Sequence, residues 1–213
     1  MLPSRGLYAI TGPTANTGRL LAWADAVIEG GAVWLQYRDK GGDAVRRLEQ
    51  ALALRERCGS REVRFIVNDD VGLAAACSAD GVHLGEDDGS IATARARLGA
   101  GAIIGVSCYG DIARARALAS EGADYLAFGA FFESGTKPGA RRASVDVLQA
   151  AGSFGRPLVA IGGITPDNGR ELVRAGADLL AVIGGLEGPP DHARTMARRY
   201  AALFHPPTTA IDE

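Results

Sequence analysis

Eight short apolar runs recur along the chain, and longer stretches with helically spaced apolar residues separate them. Short runs that are apolar almost throughout are typical of parallel strands covered on both faces. We predict strands at residues 7–10, 33–37, 64–67, 81–84, 103–107, 125–128, 158–161 and 179–183. We predict helices at residues 18–29, 43–57, 71–77, 90–98, 111–120, 144–151, 167–174 and 192–204.

Strands that alternate with helices, without a break in composition, predict a single-domain (β/α)8 TIM barrel. A Gly-Ala-Asp turn at residues 122–124 and again at 176–178, with a weaker copy at 78–80, supports a repeated unit. The alternative is an open doubly wound sheet, which is disfavoured because no G-x-G-x-x-G motif follows the first strand. We expect residues 1–205 to form the barrel and residues 206–213 to be a disordered tail.

The composition is that of an ordinary globular protein, with 47% apolar residues, 23% charged residues and a formal net charge of −2. The lack of a basic excess argues against a nucleic-acid partner, and no apolar run reaches the ~20 residues that cross a bilayer. The cysteines and histidines are scattered, without the spacing of a zinc site. We therefore expect a cytoplasmic protein with reduced thiols and small-molecule partners, and the sequence leaves a homo-oligomer open.

The end of the second strand reads Gln36-Tyr37-Arg38-Asp39-Lys40. Because side chains alternate along a strand, we expect Gln36, Arg38 and Lys40 on one face. Tyr37 and Asp39 then take the other face. An amide, a guanidinium and an ammonium on one face make an anion site, for which a phosphate or diphosphate supplies the counter-charge. Alternatively, this is a solvated strand end in which Arg38 and Lys40 pair with surface carboxylates.

Acidic clusters follow the third and fourth strands, at residues 68–70 and 86–88. In a TIM barrel the carboxyl ends of the strands share one face, so we expect these clusters to lie together. Carboxylates from both clusters, with substrate phosphate and water, are a suitable set of ligands for Mg²⁺. Alternatively, Asp70 and Asp88 cap the helices that follow them.

Small polar residues and glycines follow the later strands. Ser107 ends the fifth strand, and Lys137 lies in a segment at residues 129–139 that is either a phosphate-gripping loop or a plain surface loop. The pairs at 162–163 and 184–185 follow the seventh and eighth strands, where TIM barrels frequently seat a phosphate. Two anion sites without a Ser/His/Asp or Cys/His arrangement indicate a transferase with two anionic substrates.

In their order along the chain, these segments resemble the thiamine phosphate synthase family. The resemblance spans roughly residues 7–204 and is carried by residues 7–11, 36–40, 68–70, 79–85, 105–107, 122–125, 136–137 and 160–164. It implies a transferase that joins hydroxymethylpyrimidine diphosphate to hydroxyethylthiazole phosphate and releases diphosphate, with Mg²⁺ as cofactor. It also implies a dissociative mechanism, in which diphosphate departs before the thiazole nitrogen attacks.

The resemblance implies roles for individual residues as well. The residues expected to bind the pyrimidine diphosphate are Gln36, Arg38, Lys40, Asn68, Ser107 and Lys137. Of these, the residues expected to be catalytic are Arg38, Lys40, Ser107 and Lys137. The residues expected to bind the thiazole phosphate are Ser134, Thr136, Gly163, Ile183 and Gly184. Asp69 and Asp88 are expected to hold Mg²⁺.

The chain departs from the family pattern at four places. Gly12-Pro13 replaces an aspartate, Glu86 a glutamine, Glu133 a proline, and residues 183–185 read Ile-Gly-Gly instead of Ile-Ser-Ala. The last change, at Gly184, removes a serine hydroxyl from the expected thiazole phosphate site. Two other functions stay open: a thiazole tautomerase-like isomerase, which needs no diphosphate site, and a non-catalytic regulator that binds thiazole or phosphate.

Overall fold

The eight predicted strands form a closed parallel barrel in the order β1 to β8. The computed structural model describes residues 5–133 and 142–205. The strands are β1 (Gly6–Ile10), β2 (Ala32–Tyr37), β3 (Arg64–Asn68), β4 (Gly81–Leu84), β5 (Ile103–Tyr109), β6 (Tyr125–Phe128), β7 (Leu158–Ile161) and β8 (Leu179–Val182). The prediction of a TIM barrel is confirmed, and the doubly wound sheet is wrong because β1 pairs with β8 and closes the ring.

The helices alternate with the strands and surround the barrel. They are α1 (Thr17–Glu29), α2 (Ala44–Gly59), α3 (Val71–Ala76), α4 (Ile91–Leu98), α5 (Ile112–Ser120), α6 (Asp146–Ala151), α7 (Gly169–Arg174) and α8 (Pro190–Ala201). Three predicted starts are N-caps, because Asp43, Ser90 and Asp111 accept backbone N–H bonds from the first turn that follows. None of the helices in the described ranges is long and apolar enough to cross a membrane. The predicted tail lies outside those ranges.

Alternation along the strands separates two apolar layers. Side chains such as Leu35 and Phe65 point outward and form the large core between the sheet and the helices. Side chains on the other face fill the barrel, where Tyr8, Trp34 and Tyr125 pack edge to face. The barrel is therefore a packed core, and ligands have access to it only at its ends.

The repeated aspartates predicted from the sequence tie neighbouring strands together at the amino end of the barrel. We call Asp80, Asp124 and Asp178 the base aspartates. Each carboxylate accepts a hydrogen bond from the first or second residue of the preceding strand: Phe65 N at 2.8 Å, Ile104 N at 2.7 Å and Leu158 N at 2.9 Å. The backbone N–H of each base aspartate donates to the carbonyl of that same residue, so each pair of strands is joined twice.

Candidate active site

The end of β2 has the predicted alternation. Gln36 is buried and points into the barrel, where its Nε2 donates to the hydroxyl of Tyr8. Tyr37 and Asp39 point the other way: the Tyr37 hydroxyl donates to Gln50 on α2 at 2.8 Å, and Asp39 pairs with Arg46 on α2. The inner face of this strand end is therefore left to Gln36 and the two cations.

The two cations have different surroundings. Lys40 Nζ lies 3.2 Å from Asp69 Oδ2, so the lysine pairs with a carboxylate of the predicted metal site. Within the described ranges, the Arg38 guanidinium makes no hydrogen bond or ion pair, although the Arg38 backbone is fixed by Thr11. The interpretation as an ion-paired strand end therefore agrees with Lys40, and no carboxylate in those ranges supports it for Arg38. Its charge is available to an anionic ligand at the mouth of the barrel.

The carboxyl groups of Asp69 and Asp88 lie beside each other, within hydrogen-bonding distance. Burial raises the pKa of Asp69, and the neighbouring Asp88 raises it further, against the opposing effect of Lys40. A divalent cation would relieve this repulsion, so the pair fits Mg²⁺. No group of three His, Cys, Asp or Glu side chains within residues 5–133 and 142–205 is placed to hold a metal. The other ligands would be water and substrate phosphate, which Mg²⁺ commonly retains.

The alternative role of these aspartates as helix caps holds at one position and fails at the other. Asp70 caps α3 by accepting from Leu73 N at 2.9 Å. Asp88 caps no helix, because α4 begins later and Ser90 caps it. The Asp88 carboxylate instead accepts from Gly85 N at 2.8 Å, which fixes it beside Asp69.

A cavity of about 480 Å³ opens beside this carboxylate pair. Residues that line it include Lys40, Arg47, Asn68, Asp69, Asp70 and Asp88. The cavity therefore brings together two predicted diphosphate ligands, Lys40 and Asn68. It also contains both predicted metal ligands, Asp69 and Asp88. Arg47, on α2, was not expected; its Nη2 donates to Asp70 Oδ2 at 3.0 Å. Helical spacing alone gave no signal that this arginine reaches the barrel mouth.

A chain of hydrogen bonds crosses the barrel below this face and joins Gln36 to Ser107. Gln36 Nε2 lies 2.8 Å from the Tyr8 hydroxyl, which lies 3.0 Å from the Tyr125 hydroxyl. His83 Nδ1 lies 2.8 Å from the same Tyr125 hydroxyl, and His83 Nε2 lies 2.9 Å from Ser107 Oγ. We call this the interior chain. Its three middle members were not predicted, although alternation along β1, β4 and β6 could have placed them inside.

The glycine of the segment 105–107 makes room for this chain. A Cβ on Gly105 would lie 1.8 Å from Cζ of Tyr125, so only glycine lets that ring enter the barrel. The Tyr125 ring also stacks against His83, with centroids 5.6 Å apart. Gly105 therefore allows the Tyr125 hydroxyl to reach both Tyr8 and His83 in the interior chain.

The glycines after β7 have a packing role that the sequence did not indicate. Gly162 and Gly163 both have positive φ, at 103° and 63°. A Cβ on Gly162 would lie 2.4 Å from Cβ of Ala130, and one on Gly163 would lie 2.3 Å from the carbonyl of Glu133. We predicted glycine here for close approach of a phosphate, but the structure requires it for close approach of the segment that follows β6.

The two glycines after β8 differ from each other. A Cβ on Gly184 would meet no atom within 4 Å, whereas one on Gly185 would lie 2.2 Å from the hydroxyl of Tyr200. The open side of Gly184 and the neighbouring Ile183 lie at the carboxyl end of β8. Of the predicted thiazole phosphate ligands, Gly163, Ile183 and Gly184 are therefore at the same barrel face as the cavity. Ser134 and Thr136 lie outside the described residues, as does Lys137.

Comparison with known proteins shows relatives that match most of the chain. The sequence profile of the thiamine monophosphate synthase family matches residues 7–186. The chain is 55% identical over 188 residues to thiamine-phosphate synthase from Xanthomonas campestris pv. campestris (strain 8004), covering 88% of this chain and 90% of that protein. It is 52% identical over 201 residues to thiamine-phosphate synthase from Azoarcus sp. (strain BH72), covering 94% and 97%.

Solved structures show the same relationship. Thiamine phosphate pyrophosphorylase from Pyrococcus furiosus superposes with a TM-score of 0.82 at 33% identity, covering 93% of this chain and 95% of that one. A 3-hexulose-6-phosphate synthase, with a TM-score of 0.67 at 19% identity, shares the fold alone. The resemblance stated from the sequence is confirmed, and the chain belongs to the thiamine monophosphate synthase family.

Proposed function

We propose that this transferase binds the two substrates of a thiamine-phosphate synthase at different parts of the barrel mouth. The pyrimidine diphosphate takes the half formed by β2 to β6, and the thiazole phosphate takes the ends of β7 and β8. The observation that carries this proposal is the cavity in which Lys40, Asn68, Asp69 and Asp88 meet. Arg38 follows the same strand, and its guanidinium has no ion-pair partner among the described residues. A diphosphate with a divalent cation matches this mixture of cations and carboxylates.

The diphosphate is assigned to Arg38, Lys40 and Asn68, with Lys137 as a further cation. Lys40 already contacts Asp69, so a ligand at this point would be bound by the lysine while the carboxylate holds its cation. Mg²⁺ is assigned to Asp69 and Asp88, and when bound it would neutralise charge that develops on the departing diphosphate. Gln36 and Ser107 are assigned to the pyrimidine ring because they end the interior chain, below the cavity.

The thiazole phosphate is assigned to the backbone around Gly163, Ile183 and Gly184, with Ser134 and Thr136 as further contacts. Gly184 has open space on the side where the family pattern has serine, so backbone N–H groups and water take the place of that hydroxyl. Seats for phosphate at these two strand ends recur among TIM barrels.

The site fits a dissociative transfer better than a covalent one. Cysteine is not available as a nucleophile, because Cys58, Cys77 and Cys108 are all buried and burial raises the pKa of each thiol. The protein holds the diphosphate by charge, and the electron-rich aminopyrimidine stabilises the cation that remains when diphosphate departs. The thiazole nitrogen then attacks this cation, so the protein contributes position and electrostatics. Reduced buried thiols also agree with the cytoplasmic location that we propose.

The tautomerase and the silent regulator are less well supported. A tautomerase would use the thiazole phosphate site without the paired carboxylates. A regulator would have no use for Arg38, a cation without a counter-charge in the part of the chain that the structure describes. Arg38, Lys40 and Asp69 are all in place at one face. The curated relatives described above carry the name of the synthase.

One experiment tests the proposed function directly. Purified protein is incubated with both substrates and Mg²⁺, and thiamine phosphate and diphosphate are measured. We expect both products in equal amounts, and we expect turnover to stop with excess chelator and to resume when Mg²⁺ is restored. Asp69→Ala is expected to lose most of the activity. Absence of thiamine phosphate from the complete mixture would contradict the proposal, and full activity in chelator would contradict the metal assignment.

A further inference from the structure

The interior chain has a direction that its members determine one after another. Burial raises the pKa of Tyr8 and of Tyr125 well above that of an ordinary phenol, so both hydroxyls keep their protons. Each neutral phenol has a single proton to donate and can accept a bond at the same oxygen. Because a buried hydroxyl proton needs an acceptor, the order of donors follows once the donor at one end is known.

That donor is the amide of Gln36. Its Nε2 donates to the Tyr8 hydroxyl, so the proton of Tyr8 is directed to the Tyr125 oxygen. The Tyr125 proton is directed in turn to His83 Nδ1, which makes Nδ1 an acceptor. A neutral imidazole that accepts at Nδ1 carries its proton on Nε2, and this proton points at Ser107 Oγ. Ser107 is thus the final acceptor of the chain, and its own proton is directed elsewhere.

We propose that Tyr8, Tyr125 and His83 are positioning residues that make Ser107 a hydrogen-bond donor and Gln36 an acceptor toward the substrate ring. Gln36 uses its nitrogen inside the chain, which leaves the amide oxygen for a donor on the ligand. Ser107 uses its oxygen inside the chain, which leaves its O–H for an acceptor on the ligand. An aminopyrimidine has both groups, because its exocyclic amine donates and its ring nitrogens accept. This inference rests on the proposed function, which places that ring here.

The location of the two ends supports this assignment. Gln36 lies near the end of β2 and Ser107 near the end of β5, three strands apart in the ring, so they meet a ligand from different sides. No proton has to leave the chain during the reaction. Its task is orientation: with its polarity fixed beforehand, the site loses less free energy in orienting hydroxyls and the imidazole when the ring binds.

The first test measures the tautomer of His83 in the full-length protein without substrate. The chain has three histidines, so ¹⁵N-labelled wild type compared with His83→Gln assigns the His83 imidazole signals. We expect the neutral form with its proton on Nε2. A proton on Nδ1 would mean that the chain runs in the opposite direction, and the inference would be wrong. This measurement involves no turnover, so its result is independent of the proposed function.

The second test breaks the chain at its centre. Tyr125→Phe removes one hydroxyl and keeps the ring that fills the space beside Gly105. We expect affinity for the pyrimidine diphosphate to fall by about three- to tenfold, with affinity for thiazole phosphate unchanged. We also expect His83 to become a mixture of tautomers. The matched control is Tyr37→Phe, which removes the hydroxyl of another core tyrosine, bonded to Gln50 on the outer face of the sheet.

The outcomes separate a positioning role from a structural one. If Tyr125→Phe binds the pyrimidine diphosphate as the wild type does, or weakens both substrates to the same degree, the inference is wrong. If Tyr37→Phe gives the same selective loss, that loss reflects general destabilisation and the inference is again wrong. Normal synthesis of thiamine phosphate by the wild type would leave the proposed function standing in either case.

Discussion

The hydroxyl of Thr11 holds the backbone of Arg38 at both of its polar groups. Thr11 Oγ1 accepts from Arg38 N at 2.9 Å and donates to Arg38 O at 3.3 Å. Thr11 is fully buried directly after β1, so this pair of bonds joins the ends of β1 and β2 beyond the ladder of the sheet. The residue that carries the uncompensated cation thus has a fixed backbone, although its side chain has no partner among the described residues.

Thr11→Val is therefore expected to weaken pyrimidine diphosphate binding through Arg38. Valine has the same shape but leaves Arg38 N without its acceptor, at a cost of about 1–3 kcal/mol in the free energy of unfolding. We expect a lower melting temperature and a several-fold lower affinity for the pyrimidine diphosphate, measured by calorimetry. Thr11→Ser keeps the hydroxyl and is expected to keep the affinity. Wild-type affinity in Thr11→Val would show that the two Thr11–Arg38 hydrogen bonds do not contribute to ligand binding.

Arg38→Ala is expected to affect one substrate and spare the other. Losing one charge-assisted hydrogen bond costs roughly 1.5–3 kcal/mol, which corresponds to about a ten- to hundredfold loss of affinity for the pyrimidine diphosphate. Thiazole phosphate affinity is expected to stay the same, because its proposed seat lies at β7 and β8. Equal weakening of both ligands in calorimetric titrations would contradict the division into two sites.

Asp69→Asn is expected to increase stability while it abolishes activity. Burial and the adjacent Asp88 raise the pKa of Asp69, so the ionised form is unfavourable in the metal-free protein. Removing that charge should raise the melting temperature of the metal-free protein, measured in chelator. Mg²⁺ should stabilise the wild type and have no effect on the variant. A lower melting temperature of the variant in chelator would show that the ion pair with Lys40 outweighs the repulsion.

Gly184→Ser is expected to fold normally and to tighten thiazole phosphate binding. Its φ lies outside the left-handed region, and the added Cβ would enter open space. A serine hydroxyl that donates to a charged phosphate is worth roughly 1.5–3 kcal/mol before water is displaced. Gly185→Ser is the matched control and should be destabilised, because its Cβ would collide with Tyr200. A normally folded Gly184→Ser protein with unchanged or weaker thiazole phosphate affinity would exclude a role for the hydroxyl.

The buried thiols predict a loss of stability at alkaline pH. Burial raises the pKa of Cys58 and of Cys108 to about 12, from an ordinary value of about 9. A raised pKa in the folded state contributes stability that is complete below the pKa of the unfolded thiol and is lost as pH rises toward 12. We expect the melting temperature to fall above pH ~9 and native thiols to resist a thiol reagent at pH 8. Rapid labelling of the native protein would contradict this burial.

Sequence periodicity predicted the barrel well because strand and helix patterns are local. All eight strands were located to within about two residues at each end. The interior chain was missed for the opposite reason: the Tyr8–Tyr125 bond joins residues 117 positions apart, and a polar group in an apolar strand carries no local signal of its partner. Alternation predicted that Gln36 points into the barrel, but it did not predict the hydrogen bond from Gln36 to the Tyr8 hydroxyl.

The errors at the mouth have similar causes. Asp88 was considered as a helix cap because it precedes a helix. The N-cap position of α4 lies two residues further along the chain, and Ser90 occupies it. Gly162 and Gly163 were correctly placed after β7, yet the reason for glycine was a neighbouring segment that only the three-dimensional packing reveals. The proximity of Asp69 and Asp88 followed from the order of strands, because adjacent parallel strands bring their carboxyl ends together.

The base aspartates carry a consequence for how this sequence diverges. Asp80, Asp124 and Asp178 each join two strands at the end of the barrel opposite the chemistry. A descendant that retained these three ties could replace every ligand at the mouth and still close the ring. The turns that carry the base aspartates therefore support the architecture and not the chemistry, and a chain recognised by them alone would share the barrel without any assurance that it makes the same product.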